Sequence, residues 1–260
     1  MRFKSLLLGA ASAAVIGGAG QAQAGPFYVS VFSGLNFVAD KSASTRYTRR
    51  TGSYRTFTTF THTGSISERS RTGFVMGGAV GVHLDKWADG LRGELEASYR
   101  RNHIHGNWKT HVTSRFHTGG ERGNTTDSTS AQGTLAGHMS TFALMANVWY
   151  DIDIGSKLKP YVGGGVGWAR SRVAFVAVTT TFNTSATSSA NERSGFAYQL
   201  GLGLKYEVMR DTSIGIGYRY FRGPDVNLFF GGKFANGTVI PIKIRDQNQS
   251  VDISLSIDID

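Results

Sequence analysis

The sequence predicts an all-β protein, an eight-stranded antiparallel transmembrane β-barrel with four long extracellular loops and three short periplasmic turns. Eight segments alternate apolar and polar residues with a period of two, the pattern of a strand that separates two media. The connections between them alternate between long and short. No segment after residue 24 has the 3.6-residue period of an amphipathic helix or a run of about 20 apolar residues.

Residues 1–24 have the features of a secretory signal peptide. Arg2 and Lys4 give a positive start, residues 6–17 are apolar, and residues 22–24 (Ala-Gln-Ala) form a small-x-small cleavage motif. An uncleaved anchor is the alternative, but the apolar run is short for a membrane span. We therefore expect one barrel domain over residues 25–260. The chain has no cysteine, which excludes disulfides, thiolate metal sites and a cysteine nucleophile.

Eight strands follow from the alternation, because apolar residues occupy one parity and Gly, Ser, Asn or charged residues the other. The predicted strands are Phe27–Val38, Phe74–Asp85, Arg92–Arg100, Ser140–Asp151, Pro160–Ala169, Phe196–Val208, Ser213–Phe221 and Ser250–Asp260. The last strand is the clearest case. Its lipid-facing side chains are predicted to be Val251, Ile253, Leu255, Ile257 and Ile259. We expect it to pair antiparallel with the first and seventh strands and so to close the barrel.

Long polar segments and short turns connect these strands. The long segments lack apolar periodicity and are predicted to be structureless loops: residues 39–72, 102–135, 174–193 and 222–249. The short turns are residues 85–91, 152–158 and 209–212. Four structureless loops of this size are uncommon in a compact soluble domain. Transmembrane barrels have such loops outside the cell and short turns in the periplasm, where both termini would then lie.

The polar face of the predicted barrel carries charges of both signs. Side chains fill the interior of an eight-stranded barrel, and buried charges need partners. We therefore predict a lumen charge network, with Asp252 among the partners of Arg219. Its members are Glu94, Glu96, Arg100, Lys205, Arg219 and Asp252. Glycines on the same face leave room beside the large charged side chains, and we expect no wide diffusive pore.

The formal net charge is +10, and the excess lies mainly in the long loops. The first loop carries a candidate anionic-ligand set, interspersed with Tyr and Phe: Arg46, Arg49, Arg50, Arg55, Arg69 and Arg71. The expected partners are outer-membrane lipid, lipopolysaccharide phosphates or acidic surface polysaccharide, and not nucleic acid. The alternative is a solvated basic surface without a specific ligand.

Histidines and carboxylates offer weaker candidates for chemistry. His103, His105, His111 and His117 include a His-x-His pair, but no carboxylate or cysteine lies at ligand spacing, so we predict a solvated segment and no metal site. Glu94 and Glu96 could act as an acid–base pair, although a structural ion network suits a narrow lumen better.

His138 and Ser140 lie two residues apart near the start of a strand. A serine and a histidine at the level of the lipid interface are what an enzyme that modifies lipid A or phospholipid would need. No G-x-S-x-G motif accompanies them. An outer-membrane lipid-modifying enzyme is therefore the alternative function, and we predict no catalytic residues and no cofactor.

The chain resembles the OmpA-like, opacity-type class of small Gram-negative outer-membrane β-barrels, which belong to the porin-like surface proteins. The resemblance covers essentially the mature chain and rests on the order and spacing of FYVSVFSGLNF, LRGELEASYR, STFALMANVWYDI, KPYVGGGVGW, FAYQLGLGLKYEV and SIGIGYRYF. It implies an outer-membrane location, assembly by the barrel-insertion machinery, and a role in envelope integrity or surface interaction. Such barrels commonly end in an aromatic residue, whereas this chain ends in Asp260.

Together these observations predict a monomeric, non-enzymatic outer-membrane barrel with a structural or surface-interaction role. A soluble barrel that carries a ligand in its interior is a further alternative. It requires the apolar face to point inward, and the charged residues of the other face would then point to water.

Overall fold

A computed structural model describes residues 27–38, 41–52, 56–70, 72–118, 125–179, 185–230 and 240–259. The predicted signal peptide and Asp260 lie outside these residues. Within them, no helix is long and apolar enough to cross a membrane. The strands are β1 (Phe27–Val38), β2 (Lys41–Gly52), β3 (Thr56–Ser70), β4 (Gly73–His83), β5 (Leu91–Thr118), β6 (Thr125–Asp151), β7 (Leu158–Thr179), β8 (Ser185–Met209), β9 (Thr212–Arg222), β10 (Val226–Phe230), β11 (Ile240–Ile244) and β12 (Gln247–Ile259).

Eight of these strands form a closed antiparallel ring, which confirms the predicted fold class. The order around the ring is β1–β4–β5–β6–β7–β8–β9–β12, and β12 pairs back onto β1. The closing strand has the predicted neighbours: Leu255 lies opposite Val31 of β1 and Ile214 of β9. A closed ring leaves no unpaired edge, so the backbone polar groups of the barrel are satisfied without water.

The ring is apolar outside and mainly polar inside, the reverse of a soluble barrel. On β12, Ile253 is 68% exposed while the neighbouring Asp252 is 1% exposed. The same contrast holds on β6, where Val148 is exposed and Asn147 is buried. The five lipid-facing residues predicted for the last strand are all exposed. Burying this outer surface requires lipid, and the soluble ligand-carrying alternative is therefore wrong.

The four long segments are not structureless, and this part of the prediction is wrong. β5 and β6 continue as one hairpin whose pairing runs from Leu91–Tyr150 to Phe116–Thr125 with no shift of register. β7 and β8 also continue, and the other two segments contain the β2–β3 and β10–β11 hairpins. Thr- and Ser-rich sequence with β-branched residues is compatible with strands, but it lacks the apolar alternation on which the prediction relied.

These additional strands form what we call the extension, the part of the molecule beyond the outward apolar band. β3 pairs with β5 there, so a continuous sheet runs from β2 through β3, β5, β6 and β7 to β8. The interior of the extension is apolar. Its buried cluster consists of Ile104, Leu135, Met139, Val173, Phe175 and Val226. Trp108 and Ile244 pack against this cluster.

Inside the membrane-spanning part, glycines face large rings. A Cβ on Gly81 would lie 2.2 Å from Cζ of Tyr28, and one on Gly203 would lie 2.5 Å from Cζ of Tyr161. The glycines thus make room for aromatic side chains, and not only for the charged ones that the sequence indicated. Below the extension, the lumen contains a cavity of about 30 Å³, close to the size of one water molecule.

Candidate functional site

The solvent side of the extension carries a polar and cationic surface that four strands build together. Direct cross-strand partners share a face of a sheet. One row runs Ser44–Ser65–Lys109–Gln132, and the next runs Arg46–Thr63–His111–Ser130. We call these eight residues, on β2, β3, β5 and β6, the basic face.

The basic face is concave and forms a cleft of about 870 Å³. Gly64, Thr110 and Ala131 complete its lining. Arg46, Lys109 and His111 supply its cationic or ionisable groups, and the rest of its polar lining is hydroxyl or amide. Such a surface offers charge-assisted and neutral hydrogen bonds to an anionic, oxygen-rich ligand.

Hydrogen bonds between neighbouring strands hold the cleft in shape. His111 Nδ1 lies 2.8 Å from Ser130 Oγ. The Thr63 hydroxyl donates to the carbonyl of His111 at 3.3 Å, and the Thr110 hydroxyl donates to the carbonyl of Thr63 at 3.4 Å. The first contact orients the imidazole, and the other two tie β3 to β5 beneath the cleft.

The six arginines of the first predicted loop do not form one cluster. Arg46 lines the cleft, and Arg50 stands on the same face with its guanidinium carbon 3.4 Å from the centroid of the Phe57 ring. Arg49 points to the opposite face of β2, as the strand alternation requires. Arg55, Arg71 and the side chain of Arg69 lie outside the described residues.

The four histidines of the second predicted loop all occupy the outward parity of β5. His103, His105 and His111 are exposed, while the ring of His117 stacks on Phe57 with centroids 4.6 Å apart. In the part of the chain that the structure describes, no three His, Cys, Asp or Glu side chains are grouped to hold a metal ion.

Three residues of the predicted lumen network come together in the centre of the barrel. Arg219 Nη1 lies 2.7 Å from Glu96 Oε2, and Arg219 Nε lies 3.2 Å from Asp252 Oδ2. The guanidinium also stacks on Phe32, with its carbon 4.1 Å from the ring centroid. Gln199 donates a further hydrogen bond of 3.0 Å to the Glu96 carboxylate. One cation thus balances two buried carboxylates.

Glu94 and Lys205 belong to a second cluster nearer the short turns. Its centre is Arg92, which donates hydrogen bonds to Glu94 at 3.2 Å and to Asp151 at 2.8 Å. Tyr28 donates to Glu94 at 2.6 Å, and Lys205 Nζ lies 3.7 Å from Asp151. The prediction omitted Arg92, although its parity on β5 matches that of Glu94 and was the available signal.

Arg100, the remaining predicted member, joins the central cluster through Gln199, to which it donates a hydrogen bond at 3.4 Å. Its guanidinium carbon stacks 3.9 Å from the centroid of the Phe221 ring, and it donates a second hydrogen bond to Ser98 at 2.9 Å. None of the described carboxylates lies within 4.0 Å of it. The six predicted residues therefore occupy two clusters along the lumen.

A layer of buried polar residues separates the lumen from the apolar interior of the extension. Asn36 donates to Asn102 at 2.5 Å and to Asn248 at 2.9 Å. Asp246 accepts hydrogen bonds from Thr141, Ser171 and Asn248. Sequence reasoning missed Asp246 because it assigned residues 222–249 to a structureless loop.

Comparison with known proteins assigns the chain to a family. The model of a family described as "Surface antigen" matches residues 27–240, which is most of the chain. The chain belongs to this surface antigen family. Like the proteins it matches, it is a small bacterial outer-membrane β-barrel.

Individual relatives of this surface antigen match over shorter stretches. Outer membrane protein PagN of Salmonella typhimurium is 30% identical over 90 residues, 35% of this chain and 36% of PagN. An outer membrane protein of Gluconacetobacter diazotrophicus is 30% identical over 150 residues, 55% of this chain and 33% of that protein. The matches thus span about a third of each relative. The crystal structure of Neisserial surface protein A aligns with a TM-score of 0.47 and 15% identity, covering 90% of this chain and 97% of that one.

Proposed function

We propose that this surface antigen is a non-enzymatic outer-membrane protein that binds acidic polysaccharide in the cleft of its basic face. The observation that carries the proposal is the convergence of Arg46 of β2 with Lys109 and His111 of β5 on one polar cleft. Carboxylate or sulfate groups of a sugar chain would meet the cations, and sugar hydroxyls would meet the Ser, Thr and Gln side chains. The cleft volume of about 870 Å³ lies within the range of ligand sites.

The proposal places the extension outside the cell. The extension joins strands at one end of the barrel, and the turns after β4, β6 and β8 lie at the other end together with both chain ends of the barrel. In bacterial barrels the short turns face the periplasm and the long connections face the exterior. This orientation exposes the basic face to polymers of the cell surface or the surroundings.

The membrane-spanning part then serves as an anchor and contributes to the integrity of the envelope. Side chains fill its lumen, and a cavity of about 30 Å³ is too small for diffusion of solutes. The closed ring buries every strand edge of the barrel, so a monomer is self-sufficient. Insertion by the barrel-assembly machinery fits this architecture, and the proposed activity needs no cofactor.

Polysaccharide binding tests the proposal directly. Purified protein in detergent is titrated against heparin as the acidic probe, alongside a variant with Arg46→Ser and Lys109→Ser. The matched control carries Arg49→Ser and Arg210→Ser, which remove the same charge from the opposite face of β2 and from the exposed turn before β9. We expect the cleft variant to lose about tenfold in affinity and the control to lose far less. Equal losses would show that only net charge matters.

The enzymatic alternative rests on one geometric observation. His138 and Ser140 lie on the same outward face of β6, just beyond the apolar band. Three of their four direct cross-strand partners are basic: His103 lies opposite His138, and Arg101 and Arg172 lie on either side of Ser140. Lipid A mass spectra of a deletion strain decide the matter. A changed pattern, restored by the wild-type gene and lost on His138→Ala, would replace the binding proposal with an enzymatic one.

A further inference from the structure

A second cationic site lies lower on the outer surface, where the extension meets the apolar band. Arg101 of β5, Ser140 of β6 and Arg172 of β7 are direct cross-strand partners in one row. Adjacent strands are about 4.8 Å apart, so the two arginine Cα atoms are roughly 10 Å apart with a serine hydroxyl between them. Two guanidinium groups at this spacing can close on one phosphate from both sides.

Two steps below this row the surface belongs to the membrane. The outward residues one step down are Tyr99, Phe142 and Arg170, and those two steps down are Ala97, Leu144 and Trp168. Phe142 and Trp168 are exposed, in keeping with an aromatic girdle at the edge of the hydrocarbon layer. Arg101 and Arg172 thus stand at the height where lipid headgroups begin.

Neither arginine of this site forms an ion pair with a described carboxylate. The nearest acidic residue on this face is Glu192, opposite Arg172, and its carboxylate is held by Arg170 at 2.5 Å. No carboxylate among the described residues lies within 4.0 Å of Arg101 or Arg172. Arg101 Nε is also buried and has no acceptor within the described part of the chain. The ion pairs of the described residues therefore leave the guanidinium groups of Arg101 and Arg172 available to an external anion.

Two histidines lie one step above the row of Arg101, Ser140 and Arg172. His103 lies opposite His138. Burial and the charges of Arg101, His103 and Arg172 lower the pKa of His138, so its imidazole is mainly neutral near pH 7. A neutral imidazole can donate one hydrogen bond and accept another beside a phosphate.

We propose that Arg101, Ser140 and Arg172 form a docking site for the phosphate groups of an outer-leaflet glycolipid of the lipid A type. The phosphate lies between the two guanidinium groups, and the acyl chains run down over Phe142 and Leu144. Continuity with the lipid-facing surface favours a membrane lipid over a soluble anion. This site shares no residue with the polysaccharide cleft, so either proposal can fail without the other.

Retention of lipid by the purified barrel tests the proposal. Native mass spectrometry compares the protein from nanodiscs that contain diphosphorylated lipid A with the protein from nanodiscs that contain dephosphorylated lipid A. The wild type should retain the phosphorylated lipid with about tenfold preference. The variant with Arg101→Ser and Arg172→Ser should lose this preference. The control with Arg49→Ser and Arg50→Ser removes the same charge from β2 and should keep it.

A second variant guards against misfolding and tests the geometry. Ser140→Asp places a carboxylate between the two arginines and should abolish the preference, whereas Ser140→Ala should retain most of it. A heat-modifiability gel confirms that each variant is folded. Retained preference in either the double arginine variant or Ser140→Asp would overturn the site. Displacement of the lipid by inorganic pyrophosphate at equal concentration would overturn lipid docking and indicate a soluble phosphate ligand.

Discussion

The membrane-spanning part and the extension use the same strands but opposite polarities. On β6, Ala146 points outward and Asn147 inward within the membrane, whereas Thr134 points outward and Leu135 inward in the extension. The same alternate residues face outward along the whole strand. Near Ser140, however, the outward face changes from apolar to polar and the inward face becomes more apolar. Alternation therefore specifies that two faces exist, and the surrounding medium determines which of them is apolar.

The two regions are also held together by different interactions. The lumen contains ion pairs and hydrogen bonds, with Arg219 between Glu96 and Asp252, and a smaller apolar cluster around Met145 and Phe221. The interior of the extension is occupied mainly by an apolar cluster around Leu135 and Phe175. A substitution that exchanges a polar for an apolar side chain, or the reverse, should therefore change stability differently in the two regions of the same strand.

The largest effect is expected for Arg219→Leu. The substitution leaves the buried carboxylates of Glu96 and Asp252 without their shared cation, which should lower the free energy of unfolding by about 3–5 kcal/mol. Urea unfolding in phospholipid vesicles measures it. Arg210→Leu, in the exposed turn before β9, serves as the control and should change stability by less than about 0.5 kcal/mol. A fully stable Arg219→Leu barrel would show that the central ion cluster is dispensable.

A charge on the outward face separates the two regions most sharply. Ala146→Lys places an ammonium group against the hydrocarbon layer and should destabilise the barrel by about 2–4 kcal/mol. Ala136→Lys makes the same change on the same face of the same strand, but ten residues away from Ala146 and within the extension. It should be nearly neutral. The same unfolding assay compares the two. Equal effects would mean that the apolar band does not end near Ser140.

Removal of apolar volume from the cluster of the extension should act locally. Leu135→Ala should destabilise the extension by about 2 kcal/mol, the low end of the range for buried leucine, because the cluster lies near the open end of the sheet and can close in. Hydrogen exchange should rise after residue 101 on β5 and before residue 140 on β6. It should stay unchanged in the membrane-spanning parts of both strands. Thr134→Ala is the outward-facing control. Increased exchange throughout the barrel would contradict the separation of the two regions.

The smallest effect is a pH dependence of the β2–β3 hairpin. Burial lowers the pKa of His62 below its ordinary value of about 6.5. The unfolded hairpin then binds more protons than the folded one just below pH 6.5, so its stability is full above that pH and falls on acidification. Hydrogen exchange of β3 between pH 7.5 and 5 should show this loss, and His62→Gln should remove it. A hairpin that gains protection on acidification would contradict the burial of a neutral imidazole.

The sequence predicted the barrel well because each spanning strand alternates over its full length. The sequence did not predict the extension because its outward residues are mainly Thr, Ser, Gln, His and basic residues, and because its inward apolar residues are sparse. A signal was nevertheless present: Val173 and Phe175 continue the parity of the lumen-facing residues of β7, as Leu135 and Met139 do on β6. Extending the period-two pattern through weakly polar sequence would have found these strands.

The basic face was predictable only in part. Arg46 was singled out as part of a basic loop, and the composition indicated anionic partners. Lys109 and Ser130 join Arg46 only through the pairing of β2 with β3, β3 with β5 and β5 with β6, which brings residues from two separate loops together. That register depends on long-range hydrogen bonds between segments without a strong apolar pattern, so the sequence could not specify it.

The unbroken β5–β6 ladder sets the distance at which this protein meets its surroundings. From the Arg101–Ser140 pair to the Phe116–Thr125 pair the strands advance without a bulge. At about 3.3 Å per residue and a tilt of about 40°, the last described pair stands roughly 40 Å above the edge of the hydrocarbon layer, and the Lys109 row roughly 20 Å. A paired sheet holds such a height far more firmly than a flexible tether of equal length. In the proposed orientation the cleft samples a thin layer above the membrane, and under the proposed binding function the length of the hairpin determines which surface polymers it would reach.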